Sequence, residues 1–383
     1  MGISTIIKVP VRKALNQFDS YRDERNIRNL YKAKNIAAHE ALRANPMAEL
    51  SESQRKEIDD FWAQYGIKII DYSWFKLYYG VTGICDPHFM PQDIYSYIIW
   101  PYHNNEEFCL AWKDKNLFER FCPGVPVPHN YLRRIHGRYF DSNGSYLPTK
   151  EAVVAILSGV GGVIVKDAWD SGEGRGVTRY SIDCPADAEK LLAEWEHSDN
   201  FLVQELIVQN RVFSQFNESS VNIMRVNSWR NEDRVSIFSP TLRIGMAGQT
   251  TDICYINGIE TANVCAITMD GHFGSQIANQ YGQLKKTADV VETPGAVIPR
   301  WNEIIEIVRE GHKKLDHFDI IGWDFTVTED EQIVCVEYNV KRPGTVFYQY
   351  VNGPFFGEYT DEVLAFLKDK ENQKKWIPEW MRL

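Results

Sequence analysis

The sequence predicts an α+β fold with mostly antiparallel sheets and flanking helices. Three observations carry that expectation. Residues 1 to about 66 have a helical, charged character. Strand-like runs dominate from about 135 to 265. Near the end, GWDFTVTEDEQIVCVEYN (322–339) reads as two strands joined by a tight acidic turn, with helical patterns on either side.

The elements follow in chain order. Ser51 and Gln54 make a capping box, the apolar positions of KEIDDFWAQYG continue it, and Gly66 is a natural stop. From about 67 to 110 the chain is rich in aromatics, punctuated by Pro and Gly, and reads as packing and loop. VVAILS reads as a helix end, GGVIVKDAW as a strand, DSGEGRG as a glycine-rich turn, VTRYSI as a returning strand and PADAEKLLAEWEH as a helix. FLVQELIV, MRVNSW, VSIFSPTLRI and NVCAITM follow as strands. WNEIIEIVREGHKKL places Trp301, Ile304, Ile305, Val308 and Leu315 on one helical face, and TDEVLAFLKDK reads as a closing helix.

Composition narrows the class. With 383 residues and 44% hydrophobic side chains, the chain can bury a large core in two or three domains. Its formal net charge of -10, with no long basic run, argues against general nucleic-acid binding. A local basic cluster remains compatible with a small anionic substrate, because screening acts over ~8–10 Å. Seven cysteines are scattered singly with no CxxC pair, which suits a reducing compartment better than a disulfide framework or a zinc site. No apolar run reaches the ~18 residues of a membrane span. MGISTIIKVPVRKALNQF lacks the apolar core of a signal peptide, misses the myristoylation pattern at Ile6, and reads as a docking helix rather than a membrane-surface segment, the alternative its basic and apolar mix allows. A cytoplasmic location is the expectation.

The hairpin places charge where charge is costly. Centring its turn on Asp330-Glu331 pairs Glu329 with Gln332 and, counting outward, Asp324 with Glu337. Asn339 shares that face by the period-two alternation of a strand, and so does Cys335, which packs. Two carboxylates ~5 Å apart on a half-buried sheet repel, so something must compensate. A divalent cation does so, since two carboxylates and an amide oxygen are hard ligands suited to Mg²⁺. A protonated or arginine-paired carboxylate pair kept for structure is the other solution the hairpin allows.

Parts of an anion site stand elsewhere. VIVKDAWDSGEGRGV puts Lys166 at a strand end, ahead of Gly172, Gly174 and Gly176, whose backbone N–H groups can close over phosphate oxygens. The sequence is neither a Walker A motif nor a GxGxxG at a strand–helix junction. In FLVQELIVQ (201–209), Gln204 and Glu205 interrupt an apolar strand that can offer backbone groups to a purine. His312 reads as a packed histidine rather than a catalyst.

The order of these pieces resembles the ATP-grasp superfamily: KDKNLFERFCPGVPVP, the strand–Lys–Gly-rich loop, VQELI, then Asp-x12-Glu-x-Asn. More narrowly, the chain looks like the sugar-transfer-associated ATP-grasp group linked to cell-surface polysaccharide synthesis. SSVNIMRV (219–226), VIPRWNEIIEIVREGHKK (297–314), IIGWDFTVTEDEQIVCVEYNVKRPG (320–344) and the Pro-Phe-Phe-Gly segment at 354–357 carry that likeness. It implies two α+β subdomains clasping ATP after an N-terminal helical region. The implied divisions are 1–110, a helical and pre-grasp region; 111–205, a small subdomain with the Gly-rich lid; and 206–383, a large subdomain with the hairpin.

Carried over by position, the resemblance implies that Lys115 and Lys166 hold ATP phosphates under a lid of Gly172, Gly174 and Gly176. Gln204, Glu205 and Ile207 would line the adenine and ribose pocket, and Asp324, Glu337 and Asn339 would hold Mg²⁺. Asn222, Arg225 and Arg342 would face the γ-phosphate or the acceptor. TDICYINGIE (251–260) departs from the Asp-Asn and Gly-Gly pattern that the resemblance leads one to expect, which puts acceptor identity in doubt. The implied reaction joins a carboxylate, such as a uronic acid or nucleotide sugar acid, to an amine through an acyl phosphate, beside other polysaccharide-biosynthesis proteins. A sugar kinase and a non-catalytic nucleotide-binding subunit are the alternatives; intact Lys166, Asp324, Glu337 and Asn339 argue against the latter.

Overall fold

A computed structural model of the chain describes residues 25, 26, 28–30, 32, 48–169, 176–249, 254–256, 259–261 and 263–383. The expected docking segment at the N-terminus, Gly172, Gly174 and half of TDICYINGIE (251–253, 257 and 258) lie outside the described residues. Helix α1 (Glu52–Ala63) starts where the capping box predicts: Gln54 N–H donates to Ser51 Oγ at 3.2 Å, and Ser51 N–H donates to Gln54 Oε1 at 2.9 Å. Gly66, at φ 75°, turns the chain away.

The aromatic stretch after it is largely helical, a correction to the packing-and-loop expectation. Helix α2 (Ser73–Thr82) buries Trp74, Phe75, Leu77 and Tyr78, and a helical run from Gln92 to His103 passes through a π-turn at Tyr95–Ile99. Residues apolar on every side erase the stripe that marks a surface helix, which is why periodicity missed them. Pro87 and Pro91 fall between these helices, and Gly83, at φ 72°, caps α2.

Two compact units emerge: residues 1–102 with 358–383, and residues 103–357. In the first, the chain end returns to the early helices: Tyr65 Oη donates to Asp361 at 2.6 Å, and Tyr102 stacks on Phe366. TDEVLAFLKDK forms a short α-helix and a 3₁₀ turn, and a further helix spans Lys370–Trp376.

The second unit begins with α3 (Glu106–Trp112) and holds two large antiparallel sheets. The first contains β1 (Asn130–Ile135), β2 (Arg138–Asp141), β3 (Tyr146–Leu147), β4 (Gly161–Asp167), β5 (Val177–Ile182) and β6 (Phe201–Glu205), in the order β3-β2-β1-β6-β4-β5. Helices α4 (Lys150–Leu157) and α5 (Pro185–Glu194) pack one face through Val153, Leu157, Leu191, Val163, Val165 and Val203. Strand alternation sends Lys166 and Gln204 to the opposite face, where Ile164 pairs with Gln204 and Lys166 with Leu202.

The second sheet contains β7 (Ile223–Asn231), β8 (Arg234–Ile244), β11 (Asn263–Ile267), β12 (Phe273–Asn279), β13 (Leu284–Lys286), β14 (Ile320–Val327) and β15 (Ile333–Asn339). Their order is β13-β12-β11-β8-β7-β14-β15, and β9 (Cys254–Ile256) with β10 (Ile259–Thr261) forms a separate ribbon. The α+β expectation, with an N-terminal helical region ahead of the sheets, is therefore met. No helix among the described residues is long and apolar enough to cross a membrane.

Helix α6 (Trp301–His312) pins the centre of this sheet. His312, fully buried, donates from Nε2 to Phe318 O at 3.0 Å and accepts at Nδ1 from Ser228 Oγ at 2.6 Å. Trp323 Nε1 donates to the same Ser228 Oγ at 2.9 Å, so one histidine ties α6 to β7 and β14. Burial pushes the His312 pKa down from 6.5 to about 4. The unfolded chain therefore takes up this proton first as pH falls. Stability is complete above the unfolded value of 6.5 and declines by roughly 3 kcal/mol as pH drops through about 4. Urea midpoints in His312→Gln are predicted to depend less on pH across that window than in the wild type.

Candidate active site

The hairpin delivers Asp324 and Glu337 to facing positions, by a route the simple turn did not anticipate. Thr328, not Glu329, closes the loop opposite Gln332, and Glu331 takes the left-handed conformation at φ 61°. That shift alone would misalign the carboxylates by one residue. A bulge restores them: Asp324 pairs with Glu337 but Phe325 pairs with Cys335, leaving Val336 as the extra residue. Cys335 consequently lies opposite Phe325, on the face away from Glu337, where uninterrupted alternation had put it beside the carboxylate.

Asp324 is almost fully buried, with a side chain 2% exposed, and two arginines clamp it. Arg225, facing it on β7, donates from Nε to Oδ1 at 2.5 Å and from Nη2 to Oδ2 at 3.0 Å. Arg243, one strand further on β8, donates from Nη2 to Oδ2 at 3.0 Å. Burial pushes the Asp324 carboxyl up, but Arg225 and Arg243 outweigh it and hold the group below the usual carboxylate range. Arg225 also lies over the Tyr348 ring of α7 (Val346–Asn352), 5.8 Å from its centroid. Gly322 makes room for this packing: a Cβ there would sit 3.0 Å from Arg225 Cδ and 3.1 Å from Nη1.

Asn339 completes the cluster. Its Nδ2 lies 3.0 Å from Asp324 Oδ2 and 3.4 Å from Glu337 Oε1. Glu337 is more open, with a side chain 32% exposed, and its Oε2 meets Lys115 Nζ at 3.6 Å. Lys115 follows Asp114, which accepts from Asn116 N–H and starts a short 3₁₀ turn. The Lys115 backbone N–H donates to Ala168 O at 3.0 Å, just beyond β4. The Lys166 strand end and the carboxylate hairpin thus meet at Lys115.

Other expected residues fall into two groups. Gln204 Nε2 donates to Asn130 Oδ1 at 3.0 Å on the face that carries Lys166. Glu205 Oε1 accepts from His129 N–H at 2.8 Å, and Ile207 is half-buried in the connection from β6 toward the second sheet, which Gln209 reaches by bridging to Thr328. Gly176, at φ 66°, sits against Asp167 and accepts from its N–H at 2.9 Å. Asn222 is not brought to the cluster: its Nδ2 donates to Gln209 Oε1, Phe213 O and Asn217 O, fixing a loop. Arg342 pairs with Glu106 of α3 at 3.1 Å rather than with Asp324.

Arg243, Gly322 and Tyr348 were missed from sequence. The only signal for Arg243 is a cation between Leu242 and Ile244 in an apolar strand, which calls for a buried anion without saying which one.

Among the described residues, no group of three or more His, Cys, Asp or Glu side chains is placed to hold a metal. The convergent set here is instead two carboxylates and an amide, the oxygen chemistry of Mg²⁺ shared with substrate phosphates. Asp324 stays ionised, Asn339 is within hydrogen-bonding reach of both carboxylates, and Glu337 is open enough to meet a ligand. These residues fit that ion.

Residues 98–363, well over half of the chain, match the family described as sugar-transfer associated ATP-grasp. No curated protein matches the chain. Among solved structures, D-alanyl-alanine synthetase A from Vibrio cholerae O1 biovar eltor str. N16961 is similar at 13% identity, over 67% of this chain and 65% of that one, with a TM-score of 0.40. The ATP-grasp ligase PsnB complexed with minimal precursor is similar at 14% identity, over 69% and 63%, with a TM-score of 0.39. N5-carboxyaminoimidazole synthetase from Staphylococcus aureus complexed with ADP is similar at 13% identity, over 62% and 46%, with a TM-score of 0.36. The chain spans less than two thirds of the length of each.

Gly322→Ala is predicted to push the Arg225 guanidinium off Asp324 and to destabilise the protein by about 1–3 kcal/mol in urea denaturation. Gly295→Ala, at a position with no neighbouring atom within 4 Å, is the control and should stay within about 0.5 kcal/mol.

Proposed function

Because the chain belongs to the sugar-transfer associated ATP-grasp family, we propose that it is an ATP- and Mg²⁺-dependent carboxylate–amine ligase. The observation that carries this reading is the junction at Lys115, tied by its backbone to the end of the Lys166 strand and by its side chain to Glu337. The phosphate-binding and metal-binding candidates act, in this reading, on one ligand. In this reading 111–205 and 206–383 act as the small and large subdomains.

The chemistry follows from the charges. A carboxylate and ATP are both anions, so their approach must be neutralised. Lys115 and Lys166 hold the phosphates, with Gly172, Gly174 and Gly176 as the covering loop that excludes water. Gln204, Glu205 and Ile207 face the adenine and ribose, and Arg225 stabilises charge on the transferred phosphoryl group. Asn222 and Arg342 act at one remove, shaping the loops that carry them. Mg²⁺, when bound by Asp324, Glu337 and Asn339, supplies further charge neutralisation at the phosphate oxygens. The acceptor carboxylate oxygen bonds to the γ-phosphorus as ADP departs, and a neutral amine then displaces phosphate from the activated carbonyl to give an amide.

We assign the acceptor to the uronic-acid or nucleotide-sugar-acid class, in a cytoplasmic step of cell-surface polysaccharide synthesis, on the strength of the family description. Incubation with ATP, Mg²⁺, hydroxylamine and a panel of uronic, nucleotide-uronic and amino acids tests the reaction class. A hydroxamate should form with one carboxylate and fall by ~10²-fold or more in Lys166→Ala and Asp324→Asn. ADP with a phosphoester and no hydroxamate would replace the ligase with a sugar kinase.

A further inference from the structure

Trp169 has no part in the chemistry above, yet it is the only exposed one of the eleven tryptophans, all of which are among the described residues. Its relative exposure is 52%. A lone exposed hydrophobe is ordinary, so the place of this one is what matters. Strand β4 ends at Asp167, and the next residue is held from two sides. Ala168 N–H donates to Asn200 O and Ala168 O accepts from Lys115 N–H, each at 3.0 Å. The backbone that carries the indole is thus fixed beside Lys115, whose ammonium group reaches Glu337 at 3.6 Å. Strand pairing then gives the direction. Glu205, at the assigned adenine end, pairs with Val163, and Phe201 pairs with Asp167. Those four steps span about 13 Å along β4. Trp169 stands past Lys166, at the end of the strand away from the adenine.

We propose that Trp169 is a specificity-determining residue whose indole lies against the ring of the acceptor, and that the acceptor is a pyranose acid rather than an open-chain one. The inference rests on the ligase reading above and narrows its substrate class. ATP laid from the Glu205 end, with its phosphates at Lys166, puts the group that receives the terminal phosphoryl next along the strand. A pyranose carries C–H groups on one face and hydroxyls around its rim. That face covers an indole while the carboxylate stays free for Lys115 and Arg225. An open-chain amino acid has no such face. Tryptophan provides the contact at low entropic cost, since it has two side-chain torsions to fix.

Two measurements on the full-length chain test this. In fluorine NMR of protein labelled with fluorotryptophan, Trp169→Phe identifies the Trp169 resonance. D-Glucuronate or D-galacturonate, added with ADP and Mg²⁺, should shift that resonance saturably, and glutamate at the same concentration should not. In the hydroxamate assay, Trp169→Ala should raise KM for the uronic acid at least ~10-fold while KM for ATP changes less than ~2-fold, and Trp169→Phe should recover most of the loss. The position is exposed, so neither substitution removes core packing. An unchanged KM for the uronic acid in Trp169→Ala, with hydroxamate still formed, would overturn the inference and leave the ligase reading standing. A rise in KM for ATP instead would overturn it by giving the indole to the nucleotide. A shift with UMP and UDP-glucuronate but with neither free uronic acid would overturn it too, by giving the indole to a nucleobase. No hydroxamate from any carboxylate and no shift with any sugar acid would overturn both.

Discussion

The buried clamp of Arg225 and Arg243 on Asp324 is the constraint on which the rest of this site depends. It joins three adjacent strands, β8, β7 and β14, through side chains rather than through the ladder. Removing charges from water is costly, and apolar replacements of buried ion clusters are often neutral or stabilising. Stability therefore does not explain why the sequence keeps these three residues. Holding an ionised carboxylate next to Glu337 and Asn339 does explain it, because a lone buried acid would protonate instead.

Much of the surrounding structure serves to place that carboxylate. Strand β14 is buried along its whole length, so its register cannot slip without turning Asp324 into the apolar layer. The His312–Ser228–Trp323 chain of hydrogen bonds fixes β14 against β7 and α6 on the other face. Gly322 leaves the space that the Arg225 guanidinium occupies, and Tyr348 covers it. From a 3₁₀ turn beside the first sheet, Lys115 closes the arrangement by reaching Glu337 while its backbone stays bonded to Ala168.

Local signals were legible in the sequence where the physics is local. The Ser51–Gln54 capping box, the VTRYSI strand and the buried face of α6 appear where their patterns place them. The Asp324–Glu337 pairing was also legible, but only because a tighter turn and a bulge at Val336 cancel, and neither is written in a two-residue period. The helices from 73 to 103 were hidden by a high density of apolar residues, which leaves no clear stripe to read. Arg243 was hidden for another reason: its partner lies two strands away in the sheet and 81 residues along the chain. Asn222 and Arg342 have polar side chains that serve loops and an ion pair, and such local satisfaction cannot be told from ligand binding without coordinates.

Hydrogen exchange measured with and without Mg²⁺ and ADP tests most directly whether the two sheets share one nucleotide site. The account predicts slowed exchange in the segments around Lys115, Lys166 and Gln204 together with the Asp324–Asn339 hairpin, since all four close on one ligand. Slowing confined to one sheet, or absent from both, would contradict it.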